Sequence, residues 1–350
     1  MKKLTAIALI AFTLSSCNKE TKTITKTDPE TGKTIVVEVP ADSAQTGANT
    51  VADAAINDVN GVYMQTFKLE VGKSYPLTTY QKDQQTMTAP DGKSQSGTSE
   101  STDEMSFKVN KFENGVYDIT IELLAKKNTQ AANGKSIVVD TRQAEPKDDQ
   151  LKMMYKVNKA LVGNKLNLKM KENGEVVSIT GFDPIYTKVT AAVGTLLKDA
   201  KQKSAFTQSF KESFNEKILR DQFTKNLVLL PSKGAKVGEK WSVSENATPD
   251  GKVKLTTTYT LVNVGNGVAE ISVMGGIPKK SDKKTQEGIT RSMSSELSQS
   301  GKILLDEKSG WIKNQSINVK TSQSETLSDG KQSQTMKSTS NSLVQVNPAR

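Results

Sequence analysis

The sequence predicts an α+β fold, mainly antiparallel β, built as two similar β-sheet lobes joined by a central amphipathic helical segment. Three observations carry this. Stretches of alternating apolar and polar residues recur on both sides of the middle of the chain, bounded by Asn-Gly and other glycine-containing turns. Between them, residues 182–226 switch to a helical period. Three blocks of the first β region also recur, in the same order, in the second. The implied organisation is a signal segment over 1–16, a tether over 17–58, a β lobe over 59–181, a helical connector over 182–230 and a second β lobe over 231–350.

Met1-Lys2-Lys3 is a basic leader, and Leu4 to Leu14 is an apolar run. It is too short for a membrane-spanning helix, which needs roughly 20 apolar residues, and reads as an export signal. Leu14-Ser15-Ser16-Cys17 follows, and Cys17 is the single cysteine of the chain. This stretch resembles the lipobox of bacterial lipoproteins. The resemblance implies lipidation of the Cys17 sulfur, cleavage before it and acylation of the new amino terminus. Two acyl signals are what make membrane binding stable. The predicted partner is therefore a membrane, held through acylated Cys17, most simply the outer membrane of the envelope.

The next segment is rich in Thr, Lys, Asp, Pro, Ala and Gly, with little apolar area to offset chain entropy. Ile35 to Val39 is its one short strand candidate. A flexible tether of roughly 40 residues spans about 35 Å. Asn18-Lys19-Glu20 resembles, in part, the surface-export signal of bacteroidete lipoproteins; Thr21 stands where a second acid is expected. Asp42-Ser43-Ala44 resembles the O-glycosylation site of the same bacteria, with Ser43 as the acceptor.

Strand candidates then run over Val62–Val71, Tyr75–Met87, Met105–Lys111 and Val116–Leu124. Asn114-Gly115 is a hairpin turn signal before the last of these. Ala89–Thr102 and Thr129–Lys135 read as polar loops, and Lys165–Met170 with Glu175–Thr180 as a further hairpin. In the connector, Pro184 marks a helix start, and Ile185, Val189, Val193 and Leu196 recur at helical spacing. Phe206, Phe210 and Phe214 continue that stripe, which serves either as core packed on a sheet or as the lining of an apolar-ligand pocket. Further strands are expected at Trp241–Glu245, Val253–Val264, Val268–Met274, Lys302–Asp306, Trp311–Thr321 and Gln332–Val346.

The repeat aligns Leu69–Tyr75 with Ala235–Trp241, Phe107–Ile119 with Tyr259–Ile271, and Gly163–Val176 with Ser300–Ile312. Leu229-Leu230-Pro231 with Val237-Gly238-Glu239-Lys240-Trp241 also resembles the midpoint motif of an uncharacterised family of bacteroidete lipoproteins. That resemblance implies a location and an architecture, and brings no catalytic residues.

The chemistry is bounded by what the chain lacks. It has no histidine, which removes Ser-His-Asp and Cys-His catalysis and Cys/His zinc sites. No cofactor motif stands in a suitable context. Thr31-Gly32-Lys33-Thr34 resembles the end of a P-loop, but Thr27 occupies the place of the required first glycine. Carboxylates remain, with adjacent pairs at Asp103-Glu104 and Asp148-Asp149; neighbours on a strand point to opposite faces. The formal net charge is +10, spread over single lysines without a basic stripe, which argues against nucleic acid as partner. The expected function is that of a lipid-anchored, non-catalytic binding or structural protein. The alternative is a carrier holding an apolar ligand between curved sheets and the phenylalanine-rich helices. A carboxylate-based hydrolase is the third.

Overall fold

The computed structural model describes residues 21–27, 34–40 and 54–348, apart from 133, 198, 249 and 250. The lipobox residues Leu14, Ser15, Ser16 and Cys17, and Ser43, lie outside the described residues. The chain divides into two units, Met1–Asp53 and Ala54–Arg350.

In the first unit β1 (Thr21–Thr27) pairs antiparallel with β2 (Thr34–Pro40), from Thr21 opposite Pro40 to Thr27 opposite Thr34. The expected lone strand at Ile35–Val39 therefore has a partner. Thr21-Lys22-Thr23-Ile24-Thr25-Lys26-Thr27 alternates with period two, the pattern of a strand, and its threonines are β-branched.

The second unit begins at Ala54 rather than at 59. Ala54, Ala55 and Ile56 are buried in it. β3 (Ile56–Val59) and β4 (Val62–Gln65) make a small hairpin. The remaining strands of the unit are β5 (Ser74–Thr88), β6 (Ser94–Glu113), β7 (Val116–Ala132), β8 (Lys135–Asp140), β9 (Lys165–Lys171), β10 (Val176–Thr180), β11 (Lys240–Asn246), β12 (Lys254–Gly265), β13 (Val268–Gln286), β14 (Ile289–Asp306), β15 (Ile312–Ser328) and β16 (Ser333–Val346). The helices are α1 (Asp149–Leu161), α2 (Phe182–Gly194), α3 (Ala200–Ser213) and α4 (Glu216–Leu227). The protein is thus mainly antiparallel β, with helices inserted between β8 and β9 and between β10 and β11.

The strands from β5 onward form one 12-stranded sheet, in the order β10-β9-β7-β6-β5-β16-β15-β14-β13-β12-β11, with β8 paired to the far end of β7. The sequence led us to expect two sheets. They are one because β5, the first strand of the first half, pairs with β16, the last of the second, from Thr79 opposite Val346 to Thr88 opposite Lys337. Asn347 fastens this seam. Its side chain donates to Ile312 O (2.9 Å) and accepts from Thr78 N (2.8 Å), while its own N–H donates to Thr78 O (2.7 Å).

The two halves nevertheless share order and register. Tyr75 faces Phe107 as Trp241 faces Tyr259. A bulge falls between Val109 and Lys111 in β6, and another between Leu261 and Asn263 in β12. Gly72 N donates to Val109 O (2.8 Å) as Gly238 N does to Leu261 O (2.7 Å). The turns Asn114-Gly115 and Asn266-Gly267 both carry positive φ at both residues, as a two-residue hairpin of the favoured twist requires. The halves differ where β13 pairs with one long strand, β14, while β7 pairs with β8 at one end and β9 at the other, with α1 between them.

The helices lie on one face at one end of the sheet. Ile185, Val189, Phe223 and Leu227 join Phe67, Phe107, Ile119, Leu168, Ile271, Ile303 and Leu305 in a single buried cluster. Trp311 sits among Phe107 (ring centroids 5.2 Å), Tyr75 (5.5 Å) and Phe67 (6.4 Å), and donates its indole N–H to Pro76 O. Gln65 ties the helical connector to the sheet. Its amide donates to Leu227 O (2.8 Å) and Gly310 O (3.1 Å), and its oxygen accepts from Leu229 N (2.8 Å) and Leu230 N (3.1 Å). The Tyr117 hydroxyl accepts from Leu69 N and donates to Phe67 O, and burial pushes its phenol above the ordinary range.

Candidate binding trough

Beyond the helices the strands continue, and side-chain parity carries the core face into open space. Counting in steps of two along β14, Ile303 and Leu305 share a face with Ser295 and Met293. Leu77 on β5 shares one with Gln85 and Met87, and Val346 on β16 with Ser338 and Met336. The pairing registers place these residues in two rows across the sheet. One row is Asp282, Met293, Glu325, Met336. The next is Lys280, Ser295, Gln323, Ser338, Met87, Gln95.

Both rows line a trough of about 1150 Å³, which is also bounded by Thr248 and Val253 of the β11–β12 loop. Met87, Met293 and Met336 are 54%, 46% and 46% exposed, so their thioethers are open to a ligand. Around them stand hydroxyls, amides and a few charges. Arg291 Nε donates to Glu325 (2.5 Å), and Lys280 Nζ donates to Lys252 O (3.1 Å), which draws the loop toward the rim. The chemistry on offer is a flexible, polarisable apolar strip inside a field of hydrogen-bonding groups.

The opposite face is different. Cross-strand hydroxyl pairs recur there: Ser294 with Ser324 (2.9 Å), Thr326 with Thr335 (2.9 Å), Thr86 with Ser96 (2.8 Å) and Thr88 with Ser94 (2.8 Å). A shallower hollow of about 900 Å³ on that side is lined by Thr256, Thr258, Glu296, Ser298, Lys320 and Ser322, among others.

The sequence pointed to other residues. Phe206 and Phe210 lie on α3 and Phe214 caps its C-terminus; all three are half-buried and turn toward α2. Phe206 stacks on Phe210 (6.3 Å) and Phe210 on Phe214 (5.6 Å), while Phe182 and Tyr186 close on the same group at 5.7 Å and 6.1 Å. They fill one another's contacts and line neither the trough nor the outer hollow. The paired carboxylates also separate. Asp103 binds Lys126 (2.6 Å) and Glu104 binds Arg142 (2.6 Å) from opposite sides of β6, as strand alternation requires. Asp148 and Asp149 precede and open α1, where Asp149 meets Lys152 (2.6 Å) and its carboxyl is held below the usual range by that hydrogen bond. Among the described residues no group of three His, Cys, Asp or Glu side chains is placed to hold a metal ion, and no helix is long and apolar enough to cross a membrane. The methionines carry no periodic signal in the sequence, because each stands alone in a stretch of Ser, Thr and Gln. Their signal is positional: each shares the parity of core residues further along its strand.

An open antiparallel sheet, helix-covered at one end and troughed at the other, is the class of architecture that these observations define. Within it, the chain belongs to a family of unknown function, DUF6263, whose model matches residues 114–312, more than half of its length. The match runs from the Asn114-Gly115 turn through the helices to the start of β15. None of the curated proteins matches the chain. Among solved structures it is similar to lipovitellin, in work on lipid–protein interactions in that protein, at 12% identity and a TM-score of 0.34; the match covers 81% of this chain and 26% of that one. It is also similar to an outer membrane channel from Pseudomonas putida F1, at 9% identity and a TM-score of 0.19, covering 80% and 97%. The chain thus spans about a quarter of the length of the lipovitellin chain it matches.

Proposed function

We propose that this protein is a lipid-anchored bacterial envelope protein that binds an amphipathic ligand in the trough and performs no chemistry on it. The observation that carries the reading is the convergence of Met87, Met293 and Met336, all about half exposed, on one concave surface of about 1150 Å³. Ligand sites are concave, with apolar lining and a few placed polar groups. Here an apolar chain would lie along the thioethers, and its polar groups would meet Ser295, Gln323, Ser338 and Gln95. The trough takes over the role that the sequence gave to the phenylalanine stripe, whose rings are already occupied with one another.

The anchor rests on Leu14-Ser15-Ser16-Cys17, and with it the bacteroidete-type lipoprotein reading, a location in the outer membrane and acylation by palmitate or a similar chain. Cys17→Ala is expected to abolish incorporation of labelled palmitate and to release the protein from the membrane fraction. Retention of both overturns the anchor. The trough is tested separately, by native mass spectrometry of the protein purified from membranes. A co-purifying amphipathic molecule is expected, and the triple variant Met87→Gln, Met293→Gln, Met336→Gln should lose it. Equal occupancy of both proteins, or an empty wild type, sinks the assignment.

We further infer that the two halves of the sheet arose by duplication, with β8, α1 and β9 standing where β14 runs uninterrupted. The shared strand order, bulge position and turn chemistry support this. A family alignment divided at 231, whose halves match no better than unrelated hairpin proteins, would count against it.

A further inference from the structure

The path of the sheet ends in two strands, β10 and β11, with β8 as a side branch on β7, and the two end strands are treated differently. At β10 the outward backbone groups are covered by α4. Arg220 donates to Val177 O (3.1 Å), and Ile179 N donates to Glu216 (3.4 Å). At β11 no such cover exists among the described residues. Glu239 O accepts from Leu261 N, so by alternation Trp241, Val243 and Glu245 bond to β12, while Lys240, Ser242, Ser244 and Asn246 turn their N–H and C=O groups outward. The corresponding stretch of the first half is closed: Pro76 O accepts from Trp311, and Thr78 exchanges two bonds with Asn347. β11 is thus the uncovered counterpart of an edge that the same chain seals elsewhere. Six of its seven residues are exposed, Val243 by 46%.

We infer that β11 is the contact through which two copies of this chain pair, antiparallel and about a two-fold axis at Val243. The strand is complementary to itself in that register. Lys240 falls opposite Asn246 of the second copy and Ser242 opposite Ser244, so every outward group meets another outward group. Val243 meets its symmetry mate and both lose exposed apolar surface. The hydroxyl pairs Ser242–Thr258 (2.9 Å) and Ser244–Thr256 (3.0 Å) continue across the axis as one row. No like charges oppose: Lys240 faces an asparagine, and Glu245 faces Trp241 while keeping its partner Lys225 (2.8 Å). The same strand serves on both copies, so the contact is isologous and ends at a dimer rather than growing into a fibre.

A single strand contact is smaller than the roughly 1,200 Å² of a stable interface, so the dimer should be weak and is sought over about 10–300 µM. The test uses the full chain carrying Cys17→Ser, followed by sedimentation velocity across that range. A concentration-dependent dimer is expected. Ser244→Pro removes an outward N–H that the β12 ladder does not use, and should weaken association at least about tenfold while lowering the thermal midpoint only slightly, through loss of the hydroxyl pair with Thr256. Val243→Cys in the same background should cross-link to a covalent dimer on mild oxidation. The introduced thiol faces its symmetry mate at a position without ladder bonds, where Cα atoms stand about 4.5 Å apart, within disulfide reach. Lys331→Cys, in the exposed β15–β16 turn, should not cross-link. A protein that stays monomeric throughout, with the Val243→Cys variant no quicker to cross-link than the Lys331→Cys variant, overturns the proposal. So does a monomer whose β11 amides are protected from hydrogen exchange by a co-purifying foreign strand.

Discussion

The two ends of the same strands are held by different forces. Near the helices, Tyr75, Leu77, Ile303, Leu305 and Val346 are buried and the sheet is one wall of an apolar core. Further along those strands, Gln85, Met87, Ser295, Met293 and Ser338 occupy the same face with nothing among the described residues packed over them. Burying a large apolar side chain contributes about 1.5–3 kcal/mol, whereas a cross-strand hydroxyl pair contributes about 0.2–1 kcal/mol. The far end therefore cannot set its own register by burial. It extends a register fixed at the core end, through unbroken ladders such as Ser74–Thr88 against Ser94–Lys108. That division leaves one face uncommitted, and the trough occupies it.

The comparison breaks most visibly at glycines. Gly310, in the β14–β15 turn, has φ +71°, and an added Cβ would overlap the Thr66 carbonyl oxygen. Gly330, in the distal β15–β16 turn, has φ +88° and open space around it. Gly310→Ala should cost about 3–5 kcal/mol, or prevent folding, by combining backbone strain with the clash. Gly330→Ala should cost about 1–2 kcal/mol, from the left-handed conformation alone. Urea denaturation measures both, and equal losses would show that the far end is as tightly packed as the core.

Side-chain truncation sharpens the same contrast. Trp311→Ala removes the ring that Tyr75, Phe107 and Phe67 surround, and should cost about 3–5 kcal/mol. Met336→Ala, in the trough, should change stability by less than about 0.5 kcal/mol, because the side chain is half exposed. A loss above about 2 kcal/mol at Met336 would mean that the trough is a closed core and not a site.

What the sequence revealed divides along the same line. Val116–Leu124, Lys165–Met170 and Val268–Met274 were legible because apolar residues alternate there, and the structure buries Ile119, Ile121, Leu168 and Ile271 on one side. Residues 94–102 and 129–132, which read as loops in the sequence, and 275–286 and 289–300, for which it predicts no element, are strand. Their Ser, Thr, Lys and Gln residues face solvent on both sides, so no alternation marks them. α1 falls where no element is predicted from the sequence, although Leu151, Met154, Tyr155 and Leu161 of Asp149–Leu161 recur at helical spacing; the helix buries Tyr155 and Asn158. The helical connector expected over 182–230 is three helices; Asn215, between Phe214 and Glu216, caps α4 by accepting from Ile218 N (3.1 Å). The single sheet was not legible at all. Joining β5 to β16 is a pairing between the start and the end of the body, and neither strand alone announces its partner. The methionine trough depends on that joining, since Met87 reaches Met336 only across the seam.

Two smaller effects complete the series. Thr326→Ala removes a hydroxyl pair with Thr335 at the far end and should cost about 0.2–1 kcal/mol. Its clearer signature is faster hydrogen exchange confined to the β15–β16 tip, and global acceleration would mean that the tip and the core unfold as one unit. The last effect concerns the covered edge. Glu216 accepts from Arg220 and from Ile179 N, and the Arg220 hydrogen bond, more than any other cause, holds its carboxyl below the ordinary glutamate range. Its folded pKa is thus lower than its unfolded one. The contribution is fully present above the unfolded value and is lost as pH falls through the folded value, in the acid range below that of ordinary glutamates. The pair is about half exposed, so screening limits it to well under about 1 kcal/mol. Local exchange at Ile179 is therefore the proper readout: its amide should lose protection on acidification after correction for intrinsic rates, and Glu216→Gln should remove most of that pH dependence. Unchanged protection across the titration would mean that packing of α4, rather than this carboxylate, closes the β10 edge, and the asymmetry between the two edges would then rest on the helix alone.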